Sequence, residues 1–241
     1  MKTTLGLTLL LFATLFSCMR QEKPLPAELS RAESVMWEHP DSALSILRSM
    51  PQSSLSIGKN YATWALLLAQ ARDKVYGKRL PDSLNIPSSD KLVQDAMDYF
   101  EKEGDLKRMA QTYYYKGQLL KDQKKITEAM PFFLKSKEMM TKLDEPLFTY
   151  LICQSLGNMY RYQDLYEESL VQLKDAYQYA LRSGNGERIS YALSELGRTY
   201  VHKNEMDSAL FYFGKSLDNA QRLGNIELEA MAMGELGVVY N

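Results

Sequence analysis

Four glycines, Gly117, Gly157, Gly197 and Gly237, stand 40 residues apart, and around each of them the chain restates itself. The pattern around Gly197 is Leu196-Gly197-x-x-Tyr200, followed nine residues later by Ala209, and Asp207-Ser208-Ala209-Leu210 recurs letter for letter as Asp41-Ser42-Ala43-Leu44. A second marker keeps the same period: Gly104-Asp105, Asp144-Glu145, Gly184-Asn185 and Gly224-Asn225. No gap is needed anywhere from Tyr113 to Met233. A unit of this length cannot bury an apolar face by itself, so successive units must stack and share one elongated core.

Within each unit the apolar residues recur at three and four, the spacing of one helical face. Leu193, Leu196, Gly197 and Tyr200 mark a first helix, and Ala209, Phe213 and Ser216 mark a second after the polar break His202-Lys203-Asn204-Glu205. Glycine followed by Asp or Asn closes one helix and caps the next, which makes the second marker a set of helix-to-helix turns. Each unit is therefore two antiparallel helices and the fold is all-α. A glycine inside a helix costs about 1 kcal/mol relative to alanine, so four in register predict close backbone approach. The small residue at Ala129, Ser169 and Ala209 is expected to face the glycine.

These spacings resemble the tetratricopeptide repeat (TPR). The third unit has Tyr113, Lys116, Gly117 and Leu120, then Ala129, Phe133 and Ser136; the fourth has Cys153, Leu156, Gly157 and Tyr160, then Ser169, Leu173 and Ala176. The resemblance implies a right-handed α-α superhelix. Lys116 departs from it at a core position, and the unit of 40 rather than 34 residues lacks the closing proline, which implies longer helices and a shallower superhelix. Residues 105–241 carry the repeats, the last being only a first helix, and 27–104 hold degenerate helical repeats. In that region Trp37 ends a short first helix, Ala43, Leu47 and Met50 mark its partner, and a helix is expected near Lys59 to Tyr76. A Pro-containing insertion at 77–89 is the one candidate functional loop, followed by a helix with Ser89, Val93 and Ala96. Because Met233, Leu236, Val238 and Tyr240 would leave apolar surface in water, the natural polypeptide is expected to continue, or this end to be covered by another subunit.

Lys2, the apolar run Leu5 to Phe16 and Ser17-Cys18 read as a secretory signal over 1–17. Twelve residues with Thr8 and Thr14 are too short for a membrane-spanning helix, which needs ~20 apolar residues. Leu15-Phe16-Ser17-Cys18 also resembles the lipobox of bacterial lipoproteins, although Phe16 is bulkier than the small residue common there. That resemblance implies acylation of Cys18, a tether over 18–26, and a chain anchored in the cell envelope facing the periplasm, in either membrane. An ordinary cleaved signal peptide is the alternative.

The 29 Lys and Arg against 30 Asp and Glu are interspersed, which argues against a nucleic-acid surface with its clustered cations. Without Cys18, the thiol of Cys153 is the only one left, so no internal disulfide framework can form. One thiol, His39 and His202 are too few for a conventional zinc site or for a nucleophile–base dyad. Neither metal, cofactor nor catalytic residue is expected. Cys153 occupies a core slot, and His202 is expected to face solvent. Of the run Tyr113-Tyr114-Tyr115, helical geometry sends the members in different directions.

The resemblance also implies that function lies on the concave face lined by the first helices, where such repeats bind a partner's peptide or helix. Its register here comprises Tyr114, Gln118 and Lys121, then Gln154, Asn158 and Arg161, then Ser194 and Arg198. Amides and guanidinium groups can satisfy a peptide backbone or hold a carboxylate. The lysine of the family's carboxylate clamp is absent at 114, 154 and 194. The expected function is a non-catalytic protein- or peptide-binding scaffold; the alternatives are the sensory repeat region of a larger membrane-associated signalling protein, or an enzyme accessory that organises envelope complexes.

Overall fold

The computed structural model describes residues 24–51, 55, 58–76 and 89–240. Residues 1–17, expected to be a signal segment, Cys18 and nearly all of the expected 77–89 insertion lie outside the described residues. Among those described, eleven helices and no strand occur: α1 (Ala27–Val35), α2 (Pro40–Ser49), α3 (Lys59–Tyr76), α4 (Ser89–Glu103), α5 (Leu106–Asp122), α6 (Ile126–Lys142), α7 (Pro146–Tyr162), α8 (Tyr166–Ser183), α9 (Gly186–His202), α10 (Met206–Leu223) and α11 (Ile226–Tyr240). α1 stops at Val35, two residues before the expected end at Trp37.

Every turn from α4 onward is built to one recipe. Gly104, Gly184 and Gly224 take positive φ of 74°, 66° and 63°, and Asp144 takes 55° in their place. The side chains of Asp105, Asn185 and Asn225 then accept the N–H of Arg108, Arg188 and Leu228, capping α5, α9 and α11. The turns inside each pair use the left-handed conformation without glycine: Lys124, Asp164 and Asn204 have φ of 62°, 61° and 61°. At each, the next N–H reaches back five residues, Lys125 to Leu120, Leu165 to Tyr160 and Glu205 to Tyr200, as in a Schellman closure.

The glycine notches are filled as follows. A Cβ on Gly197 would stand 2.4 Å from the Phe213 ring, one on Gly157 2.6 Å from Leu173, and one on Gly117 3.0 Å from Phe133. The partner is thus the large residue one turn beyond Ala129, Ser169 or Ala209, because a helical side chain leans back toward its helix N-terminus. Ser169 also comes near, its carbonyl oxygen 3.4 Å from the Gly157 position. Serines seal the pairs further along: Ser136 donates to the Ala110 carbonyl and Ser216 to that of Ser190.

Each second helix packs on both neighbouring first helices, and successive first helices also touch one another, α7 with α9 and α9 with α11. The second helices do not pack together to that extent, so the right-handed α-α superhelix curves toward its first helices. The N-terminal helices reach across this inner side. Glu33 pairs with Arg108 at 2.7 Å, and the Trp37 ring meets Phe148 edge-on at 5.5 Å while Lys74 Nζ lies 3.5 Å above it. Lys116, out of place in a repeat core, keeps its stem covered and carries its ammonium to Asp90 on α4 at 2.8 Å.

Candidate functional site

The inner side holds two adjoining cavities that meet at Tyr162. The first, of about 450 Å³, lies between α5 and α7 and brings together five of the eight residues expected on the concave face: Tyr114, Gln118, Lys121, Gln154 and Asn158. Ile126, Leu151, Ser155, Met159 and Tyr162 complete its lining. Tyr114 forms its floor, only 4% exposed, edge-on to Tyr115, Phe133 and Phe148. Gln118 donates through Nε2 to the Tyr114 hydroxyl at 2.6 Å, which leaves its Oε1 buried without a hydrogen bond. Asn158 Oδ1 is in the same condition one repeat along. Two unsatisfied amide acceptors in one cavity are costly unless a donor arrives, at about 1–3 kcal/mol each. Lys121 stands near Asp73, whose carboxyl is pushed up by burial against the opposing charge of Lys121.

The other three expected residues are placed differently. Ser194 is 1% exposed and bonds to Ser216 at 3.0 Å within a hydroxyl layer completed by Ser190 and Asn219, so it presents nothing to the groove. Arg161 is 7% exposed: its Nη1 donates to Glu195 Oε2 at 2.7 Å and to the Glu195 carbonyl at 3.3 Å. Arg198 donates to Glu195 Oε1 at 2.9 Å and lies 2.5 Å from Glu235 Oε1. The cations expected to hold a ligand carboxylate are therefore neutralised in an alternating ladder, Arg161–Glu195–Arg198–Glu235. Arg161 and Glu195 stand 34 residues apart on successive first helices, and Arg198 and Glu235 likewise lie on successive first helices, so the pairing follows the helix stack. That is why no motif in the sequence marks Glu195 or Glu235.

The second cavity, of about 270 Å³, is lined by Arg161, Tyr162, Arg198, Val201, His202, Phe213, Glu235 and Val238. His202 is solvent-facing and stacks on Tyr166 with ring centroids 6.0 Å apart. Cys153 is fully buried, and burial pushes its thiol up to about 11, which keeps it protonated and unreactive. Tyr113, Tyr114 and Tyr115 are all buried in the core.

Two stacked layers of antiparallel helices, repeating every 40 residues with a glycine notch filled by Phe or Leu, decide the architecture. The chain has the tetratricopeptide-repeat fold. Solved structures superpose on this TPR solenoid along most of its length. One is a STAND signal-transduction ATPase with a tetratricopeptide repeat sensor from Pyrococcus horikoshii, at TM-score 0.69 and 18% identity over 89% of this chain and 32% of the other. RapI in its apo form superposes at TM-score 0.69 and 16% identity, over 89% and 76%. Aspartyl phosphate phosphatase F of Bacillus subtilis does so at 0.68 and 15%, over 88% and 54%. The TPR chain spans about a third of the length of the ATPase. No family model matches the sequence, and no curated relative does. At these identities the likeness is one of fold.

Proposed function

We propose that the inner groove is a non-catalytic binding site for an extended segment of a partner protein, with Gln118, Gln154 and Asn158 hydrogen-bonding its backbone. The observation that carries this reading is the pair of buried, unsatisfied amide oxygens, Gln118 Oε1 and Asn158 Oδ1, in one cavity of about 450 Å³. Peptide N–H groups are the donors that two such acceptors, spaced along a groove, can take up. The self-neutralised arginines argue against recognition through a ligand carboxylate.

The scaffold is exported by residues 1–17 and held at the cell envelope, facing the periplasm, by acylated Cys18. Cys18→Ala should then move the protein from membranes to the soluble fraction and abolish incorporation of labelled palmitate. Retention of the wild-type distribution would refute the anchor. A second reading, that the repeats are the sensory region of a larger signalling protein, draws on the superposition with the repeat sensor of the ATPase.

The groove is tested by cross-linking in the native envelope, comparing the wild type with Gln118→Leu/Asn158→Leu. Loss of the captured partner by about tenfold or more, with melting not lowered, is expected, since each substitution removes an unsatisfied acceptor without removing bulk. Undiminished capture would overturn the assignment.

A further inference from the structure

We infer that the second cavity, where α7, α9 and α11 converge, is an anchor subsite for one aromatic side chain with a neutral hydrogen-bond donor at its tip, a tyrosine or tryptophan of the bound segment. This rests on the peptide-binding reading of the same groove and adds a sequence preference to it.

Size comes first: about 270 Å³ falls below the ~300–1,000 Å³ of pockets for whole small molecules and suits a single large side chain. Its walls are apolar, with Val201 and Phe213 behind and Val238 and Tyr162 at the rim, the last two 72% and 79% exposed. An exposed tyrosine at the mouth of a cavity offers an aromatic face on which a second ring can pack. The floor holds a carboxylate. Glu235 Oε1 is ion-paired with Arg198 Nη2 at 2.5 Å, Arg198 Nη1 is committed to Glu195, and both Glu235 oxygens are covered. A carboxylate with one such partner keeps spare acceptor capacity for a donor that displaces its cover.

Charge narrows the occupant further. Arg161 and Arg198 are balanced by Glu195 and Glu235, so the site has no net charge with which to repay the desolvation of a ligand ammonium or carboxylate. A phenol hydroxyl or an indole N–H meets the carboxylate at far lower cost. Tyr162 lines both cavities, so a chain held by Gln118 and Asn158 can place a side chain here without turning away from the groove.

The test uses p-cresol, toluene and 4-methylbenzylamine as probes in NMR titrations of the full chain. p-Cresol should bind about tenfold more tightly than toluene, the ratio expected of one hydrogen bond to a charged acceptor. Glu235→Leu should erase that ratio while toluene still binds, Glu235→Gln should keep a smaller preference through its neutral amide oxygen, and Val238→Trp should exclude both probes. Equal affinity for p-cresol and toluene, no binding of either, or tighter binding of the amine would each overturn the inference. If the probes fail while Gln118→Leu/Asn158→Leu still abolishes partner capture, the anchor falls and the groove reading stands. If p-cresol binds specifically while capture is unaffected by those two substitutions, the aromatic pocket stands and the groove reading falls.

Discussion

Replacing the repeat glycines one at a time by alanine should produce a graded series, not a uniform effect. Alanine in a helix interior gains about 1 kcal/mol over glycine, and overpacking a filled core costs about 1–3 kcal/mol. At Gly197 the new methyl would stand 2.4 Å from a Phe213 ring that is 2% exposed, about 1 Å inside ordinary contact at 3.4 Å, and a flat ring cannot bend aside. The overpacking wins there, and Gly197→Ala should lose about 1–2 kcal/mol net. Gly157→Ala meets Leu173 at 2.6 Å, close to the root of a fully buried side chain, and should lose about 1 kcal/mol. Gly117→Ala meets only the outer edge of Phe133 at 3.0 Å and should be near neutral. On Gly237 the same atom meets nothing within 4 Å, so alanine should stabilise by a few tenths to about 1 kcal/mol. Urea unfolding followed by far-ultraviolet circular dichroism measures the series, and Phe213→Leu combined with Gly197→Ala should lose less than the sum of the two alone. If Gly197→Ala is as stable as the wild type, or all four substitutions shift stability alike, the notch argument fails.

Arg161→Glu should destabilise by about 3–5 kcal/mol, because it removes the buried one of Glu195's two cationic partners and sets a second carboxylate against it, whereas Arg198→Glu at a half-exposed site should cost clearly less; thermal melting separates them. Burial, with Arg188 nearby, pushes Lys74 down to about 8, so its protonated form is disfavoured in the fold. Stability should therefore rise as pH climbs from about 8 toward the ordinary lysine value, and Lys74→Met should stabilise by about 1–3 kcal/mol at pH 7 and flatten that rise. A rise of the same size in Lys74→Met would assign it to another group.

The helix pairs were legible because a repeat reports each contact several times over: any one of Leu196, Gly197 or Phe213 is ambiguous, and the same spacing at 117 and 157 is not. The capped turns at 104–105, 184–185 and 224–225 were legible for the same reason, since glycine followed by Asp or Asn has few other uses. Lys124 was not, because nothing in a lysine announces a left-handed backbone; only Asn204 and Asp164 at the same position hint at it. The groove was half legible. Register places Gln118 and Asn158 on the inner face, but burial is set by curvature, which carries Ser194 into a hydroxyl layer and brings Glu195 within 2.7 Å of Arg161 across 34 residues. Local spacing carries no information about that distance. Trp37 against Phe148 was invisible on the same ground.

The Glu33–Arg108 and Trp37–Phe148 contacts change how such a molecule should fold. A solenoid whose units touch only their neighbours can begin anywhere, grow in either direction and fray from either end. Here residues 75 apart in the chain are tied by an ion pair, and Trp37 and Phe148 lie farther apart still. Closing such spans carries an entropic cost that grows with the logarithm of their length and is repaid only when both sides are already formed. The middle of the chain should therefore acquire structure first and the N-terminal helices clasp it last. Once clasped, that end should open only together with the units it grips, so hydrogen exchange in α1 should report the opening of α5 and α7 instead of the loosening of a free terminus.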